Sequence, residues 1–197
     1  MSPSTATVVE LARSLSARCG QTAVIAVDGR AGSGKTTLAS AVAGALAAPM
    51  VSMDSLYPGW DGLAEGIALL ESEVLQPLSR GEEASVPVYD WHRGDWGLAR
   101  LLTPPAILVV EGVGCGARSS STHLSALVWL ECDEAVRHSR ALSRAADGAA
   151  FAVEWERWAA QEESLLKLDP IFLRADLVVR TDDSDAPTTT LAGHDVR

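Results

Sequence analysis

The sequence predicts a three-layer α/β fold, with a mostly parallel sheet of five strands between helices. Three observations carry the prediction. Short apolar runs alternate with longer segments whose apolar residues recur at helical spacing, the pattern of strands joined by crossover helices. The first run leads through a glycine-rich stretch directly into a helix-forming one. A chain of 197 residues, 47% of them hydrophobic, suits one domain of this kind with a substantial core.

Residues 1–5 are expected to fray. Residues 6–18 place Val8, Leu11, Ala12 and Leu15 on one face, and Gly20 follows as a stop, so a helix is expected there. Residues 22–28 (TAVIAVD) form the first strand, and residues 37–46 the helix after it. Residues 49–53 form a short second strand ending at Asp54, followed by a Pro-, Gly- and Asp-rich loop through Leu63. Residues 64–79 read as a helix with Ile67, Leu70, Val74 and Leu78 aligned and Pro77 near its end. Residues 80–105 are expected to be irregular. Residues 106–112 (AILVVEG) form a buried strand ending in an acid, and 127–132 form another. Asp133 is placed to cap a helix carrying Arg137, Arg140 and Arg144 on one face. A joint over 145–152, a second helix over 153–168 and a last strand over 175–180 complete the pattern. Residues 182–197, acidic and Thr-rich, read as a mobile tail.

The stretch after the first strand is Gly29-Arg30-Ala31-Gly32-Ser33-Gly34-Lys35-Thr36, which fits G-x-x-x-x-G-K-[ST] at every fixed position. Glycines let the backbone curl around a polyphosphate and turn its N–H groups inward. The following helix adds free N–H groups and the positive end of its dipole. This predicts a P-loop nucleotide-binding fold that takes ATP on Gly29, Ala31, Gly32, Ser33, Gly34, Lys35, Thr36 and Thr37. Lys35 is expected on the β- and γ-phosphates and the Thr36 hydroxyl on Mg²⁺. The chain has only two lysines, Lys35 and Lys167, so the motif lysine is not drawn from a lysine-rich background. Ligands of such sheets lie beyond the carboxyl ends of the strands, so Asp54 faces the phosphates, and Glu111 ends its strand as a Walker B-like acid.

A formal charge of −10 argues against coating a nucleic-acid polymer. No apolar run approaches the roughly 18 residues of a membrane span, and no secretory signal is seen. Cys19, Cys115 and Cys132 are far apart and form no CxxC pair, which suits a reducing cytoplasm. No metal-ligand spacing is found among the histidines or cysteines.

With these pieces the chain resembles the uridine kinase-like branch of the P-loop kinases, relatives of phosphoribulokinase. The resemblance covers about residues 23–181. It rests on Ile25-Ala26-Val27-Asp28-Gly29 entering the loop, on Asp54-Ser55-Leu56-Tyr57 against D-S-F-Y, and on Tyr89-Asp90-Trp91 against Y-D-F. It also rests on Val110-Glu111-Gly112, on Arg137-x-x-Arg140-x-x-x-Arg144 as lid arginines, and on Ala175-Asp176 opening the final strand. The resemblance implies a single kinase domain over 1–181, with an arginine-bearing helical lid at about 137–160 and an acceptor region at about 54–100. It implies transfer of the ATP γ-phosphate to a hydroxyl of a small molecule. Asp54 would be the general base or hydroxyl-positioning carboxylate, Glu111 would act on Mg²⁺, and Arg137, Arg140 and Arg144 would close over the phosphates. A homodimer is compatible with it. Leu56 stands where the family has an aromatic, Ala141 replaces a lid arginine, and His92 follows Trp91 directly.

For the acceptor, Tyr57, Trp60, Asp61, Tyr89, Asp90, Trp91, His92 and Arg93 are the candidate contacts. Aromatic faces beside carboxylates suit a neutral nucleoside-like or polyhydroxyl ligand, although the same tryptophans suit a small packed core equally well. A nucleoside-monophosphate or sugar-acid kinase is an alternative, and Arg93 and Arg100 are the nearest arginines for a charged acceptor. An ATP-binding regulatory module with little turnover is a third reading.

Overall fold

The computed structural model describes residues 1–143, 148–182 and 189–191. Five parallel strands form its centre: β1 (Ala23–Gly29), β2 (Met50–Ser52), β7 (Ile107–Glu111), β8 (Leu124–Glu131) and β9 (Leu177–Arg180). Their spatial order is β2-β7-β1-β8-β9, and β10 (Thr189–Leu191) adds an antiparallel edge beside β9. The five expected strands are therefore present and parallel. The sixth comes from the segment read as a tail, whose residues 183–188 and 192–197 lie outside the described residues.

The central strand β1 is buried along its whole length, as its continuous apolar run requires of a strand covered on both faces. On one face lie α1 (Pro3–Arg13) and α2 (Lys35–Leu46), sharing a core with Ile25, Val27, Val109 and Val128. On the other, Val24, Ala26, Leu108 and Val110 meet α3 (Leu63–Leu69) and α4 (Gln76–Ser79) through Leu70, Val74 and Leu78. α3 and α4 are one continuous helical path joined by a π-helical turn over Leu70–Leu75. The turn sits directly before Pro77, whose missing N–H interrupts the ordinary i→i−4 ladder.

Residues 80–105 are more regular than expected. β3 (Ala84–Val86) pairs with β6 (Arg100–Leu102), and β4 (Tyr89–Asp90) pairs with β5 (Asp95–Trp96), both antiparallel. Ladders of two or three residues are too short to show a period in sequence. β8 also starts three residues earlier than expected, at Leu124. α5 (Glu134–Leu142) and α6 (Gly148–Leu168) follow, α6 starting within the segment read as a joint. Arg144 lies outside the described residues. No described helix is long and apolar enough to cross a membrane. The three cysteines are buried free thiols.

Register places the site. Val27 of β1 and Ser52 of β2 both pair with Glu111 of β7. Three neighbouring strands thus end level, at the edge from which the glycine-rich loop leaves β1.

Candidate active site

The loop from Gly29 to Thr36 takes the shape its glycines allow. Gly34 stands at φ +93° as the residue that opens α2, a left-handed conformation that side-chain-bearing residues rarely adopt. Gly32 stands at φ +80°, and a Cβ there would lie 2.2 Å from the Arg137 carbonyl oxygen. Close contact between the loop and α5 therefore requires glycine at position 32. Lys35 is buried, and its Nζ donates to the Arg30 carbonyl at 3.0 Å, so the ammonium lies across the loop.

Glu111 meets the loop from the neighbouring strand. It is 2% exposed, and its carboxylate accepts from Thr36 Oγ1 at 3.2 Å and Ser52 Oγ at 2.6 Å. Burial raises its pKa above the ordinary glutamate value, and the nearby Asp54 charge adds to that, while Ser52, Lys35 and Thr36 oppose it. Thr36 hydroxyl, Glu111 carboxylate and Ser52 hydroxyl form a compact set of hard oxygen donors. Such a set fits Mg²⁺, which binds few protein oxygens and keeps the rest of its shell for phosphate and water. Asp54 follows, itself exposed, on a 3-10 turn over Met53–Ser55, entered through its N–H to Ser52 Oγ at 3.4 Å.

Asp28 is a functional neighbour that the motif does not name. It is fully buried one residue before Gly29, and its carboxylate accepts from the N–H groups of Gly29 (2.6 Å), Gly114 (3.0 Å) and Gly116 (2.8 Å). The loop's first glycine is thereby tied to the segment after Glu111. Burial pushes the Asp28 pKa up to about 6, even against those three donors and the Lys35 charge.

Glu162, on α6, is a second carboxylate of this kind. It is 1% exposed and accepts from Ala31 N at 2.7 Å, Arg30 Nε at 2.9 Å and Trp158 Nε1 at 3.1 Å. The sequence signal for it is an acid four residues after Trp158 on the apolar face of the helix.

The two described lid arginines were expected over the phosphates. Both donate to backbone carbonyls. Arg137 is buried, donates to the carbonyls of Ala31 (3.1 Å) and Cys132 (3.2 Å), and lies 5.8 Å from the Trp155 ring centroid. Arg140 donates to the Thr181 carbonyl at 2.6 Å, and the Thr181 hydroxyl donates to the Ser33 carbonyl at 2.9 Å. Neither arginine belongs to a solvated stripe; both brace the loop.

The expected acceptor residues divide. Tyr57 is fully buried and donates its hydroxyl to the Val113 carbonyl at 2.7 Å, so it faces the core. Asp61 is ion-paired with Arg157 of α6. Asp90 shapes the β4–β5 turn by accepting from the N–H groups of His92 (3.0 Å) and Arg93 (3.1 Å), both exposed near its tip. Trp91 donates Nε1 to the Asp54 carbonyl at 2.7 Å, which brings the hairpin against the candidate base. Trp60 packs on Trp91 (4.9 Å between centroids) and Phe151 (5.3 Å), and Tyr89 on Trp91 (5.5 Å) and Trp96 (5.3 Å). The aromatics form a continuous stack linking the hairpin, the loop after β2 and α6. Arg100 donates to the Met50 carbonyl.

A glycine-rich loop leaving the central strand, an acid ending the adjacent strand and this strand order define a P-loop kinase fold. Solved structures share it. The chain is similar to a protein described as a possible uridine kinase from Bacillus stearothermophilus, at 18% identity over 89% of this chain and 96% of that one, with a TM-score of 0.65. It is similar to D-glycerate 3-kinase from Cryptococcus neoformans, at 12% identity over 95% and 96% of the two chains and a TM-score of 0.55. Shikimate kinase from Bacteroides thetaiotaomicron matches at 15% identity over 83% and 89%, with a TM-score of 0.52. No family model matches the chain, and no curated protein does. The likeness is one of fold, and the fold is the one that the uridine kinase-like motifs imply.

Proposed function

We propose that this chain is an ATP-dependent phosphotransferase that moves the γ-phosphate to a hydroxyl of a small, neutral, polyhydroxyl or nucleoside-like acceptor. The observation that carries the proposal is the Thr36–Glu111–Ser52 set at the end of the loop. It joins the helix that follows the phosphate loop to the strand that leads to Asp54. Mg²⁺, when bound there, neutralises charge on the transferring phosphates. Glu111 supplies the fixed negative charge and Thr36 the hydroxyl that hold it. The loop N–H groups and Lys35 hold the phosphate chain, and Asp54 orients the acceptor hydroxyl or takes its proton. Positioning and electrostatics of this sort provide most of the rate in phosphoryl transfer.

A neutral acceptor is favoured by how the arginines are engaged. Arg157 is paired with Asp61, and Arg100 with the Met50 carbonyl. Arg93, at the hairpin tip, is exposed. The exposed faces of Trp91 and Trp96, both 37% accessible, offer a flat surface beside the acids. The proposal is tested by following Mg·ATP consumption against nucleosides, nucleoside monophosphates, sugars and sugar acids. Stimulation by a neutral polyol or nucleoside is expected. Stimulation by monophosphates alone overturns the neutral-acceptor assignment, and ATP binding without stimulation by any acceptor moves the reading to a regulatory module.

A further inference from the structure

Asp54 stands on a turn too short to aim it unaided. The 3-10 turn over Met53–Ser55 has three residues, and Asp54 itself is exposed. Hydrogen bonds reach both peptide groups that flank its Cα. The Asp54 N–H donates to Ser52 Oγ at 3.4 Å, and the Asp54 carbonyl accepts from the Trp91 indole Nε1 at 2.7 Å. The indole bond is the shorter of the two, and it comes from 37 positions further along the chain.

Trp91 is braced in its turn. The Asp90 carboxylate accepts from the N–H groups of His92 and Arg93, and the Asp90 carbonyl accepts from Gly94 N at 2.8 Å, so the turn closes around Trp91. A ladder of two residue pairs, β4 with β5, is too short to fix this hairpin alone. Aromatic packing completes the support. The Trp91 ring packs on Trp60 and Tyr89, and Trp60 packs on Phe151 and edge-on to Trp158 of α6, 6.4 Å between centroids. Phenylalanine, the third residue of the Y-D-F motif that this stretch resembles, could pack in the same place. Tryptophan adds an N–H donor that phenylalanine lacks, and here that donor is spent on Asp54.

We infer that Trp91 is a positioning residue for Asp54: the braced indole donates to the Asp54 carbonyl and so sets the direction of the carboxylate that meets the acceptor hydroxyl. The inference rests on the role of Asp54 given above and adds the group that aims it. Trp91 acts here through the aspartate. Its ring face could stack on an acceptor with or without the N–H, so the two roles separate by experiment. Aim matters because a reacting group must be held within about 0.5 Å of its productive place, and a misplacement of about 1 Å can cost on the order of 10²-fold in rate.

The test is Trp91→Phe, which keeps a ring in the stack and removes the N–H. With the acceptor that best stimulates Mg·ATP consumption, kcat should fall about threefold to tenfold, the worth of one hydrogen bond. ATP affinity and the acceptor KM should stay nearly unchanged. In an Asp54→Asn background the same substitution should cost nothing further, because the carboxylate it aims is gone; a double-mutant cycle measures this. A second measurement needs no turnover and no variant that must fold. In the wild-type chain the Trp91 indole N–H should exchange with solvent about tenfold or more slowly than that of Trp96. Trp96 is an equally exposed tryptophan of the same hairpin, with no hydrogen bond at its indole nitrogen among the described residues. An unchanged kcat, a loss confined to the acceptor KM, or the same loss repeated in the Asp54→Asn background overturns the inference and leaves the kinase reading standing. Equal exchange at the two indoles does so as well. Absence of acceptor-stimulated turnover in the wild type, even with the Trp91 indole protected, overturns the kinase reading and the inference with it.

Discussion

Glu111 and Asp28 are buried carboxylates at the ends of adjacent strands, and their partners set them apart. Glu111 accepts from two side-chain hydroxyls at the edge of the cleft, so a cation can share its charge. Asp28 accepts from three backbone N–H groups inside the protein, and its work is to hold the loop's root. Its folded pKa of about 6 exceeds the ordinary aspartate value of about 3.8, so the folded chain keeps the proton to higher pH than the unfolded one. Its stabilising contribution is therefore full below about pH 4 and is lost as pH rises through about 6. Compared with Asp28→Asn by denaturant unfolding, the wild type should lose stability relative to the variant between those two values. Parallel stability–pH curves would contradict the assignment. For Glu111, whose pKa burial raises, turnover should climb with pH through a value above the ordinary glutamate range. Glu111→Gln should remove the Mg²⁺ dependence of ATP binding, and a variant with undiminished Mg²⁺ response would contradict its role.

Among the elements, α6 connects the glycine-rich loop to the segment after β2. Glu162 grips the phosphate loop at Ala31 and Arg30, and one turn earlier Trp158 packs edge-on to Tyr57 at 4.9 Å. Gln161 donates to the Trp60 carbonyl at 2.7 Å, and Arg157 pairs with Asp61. These contacts differ greatly in weight. Glu162 is buried and its partners cannot all find water, so Glu162→Ala should lower stability by about 1–3 kcal/mol, read as a shifted denaturation midpoint. Arg157 and Asp61 are both half-exposed or more, and exposed pairs contribute about 0–1 kcal/mol. Arg157→Ala should leave the midpoint nearly unchanged while speeding amide exchange over residues 57–63. The reverse ranking, with Arg157 the costlier loss, would show that α6 is anchored at the acceptor end. Sequence alone could not supply this helix's role. Its apolar period was legible, but a carboxylate reaching a loop 131 positions away in the chain leaves no local trace beyond an acid on the wrong face.

At the scale of the whole molecule, the five parallel strands, the loop and Glu111 were legible because each is written in a short run of residues. A β-branched run before G-x-x-x-x-G-K-T fixes strand, turn and helix together. The strand order was not legible, since pairing β1 with β7 and β8 joins segments about a hundred positions apart. Nor was the fate of the tryptophans: residue type gives an aromatic face but not what covers it, and here Trp60, Trp91 and Trp158 cover one another. The lid arginines were placed by spacing, yet their carbonyl partners come from the loop and from Thr181. What the fold brings together is Asp54 beside a loop-bound Thr36–Glu111 pair, and that juxtaposition is the centre of the account. The most direct test takes the acceptor that best stimulates Mg·ATP consumption and compares wild type with Asp54→Asn in both turnover and ATP affinity. The account predicts turnover reduced about 10²–10⁴-fold with ATP affinity essentially unchanged. Undiminished turnover in Asp54→Asn would contradict it.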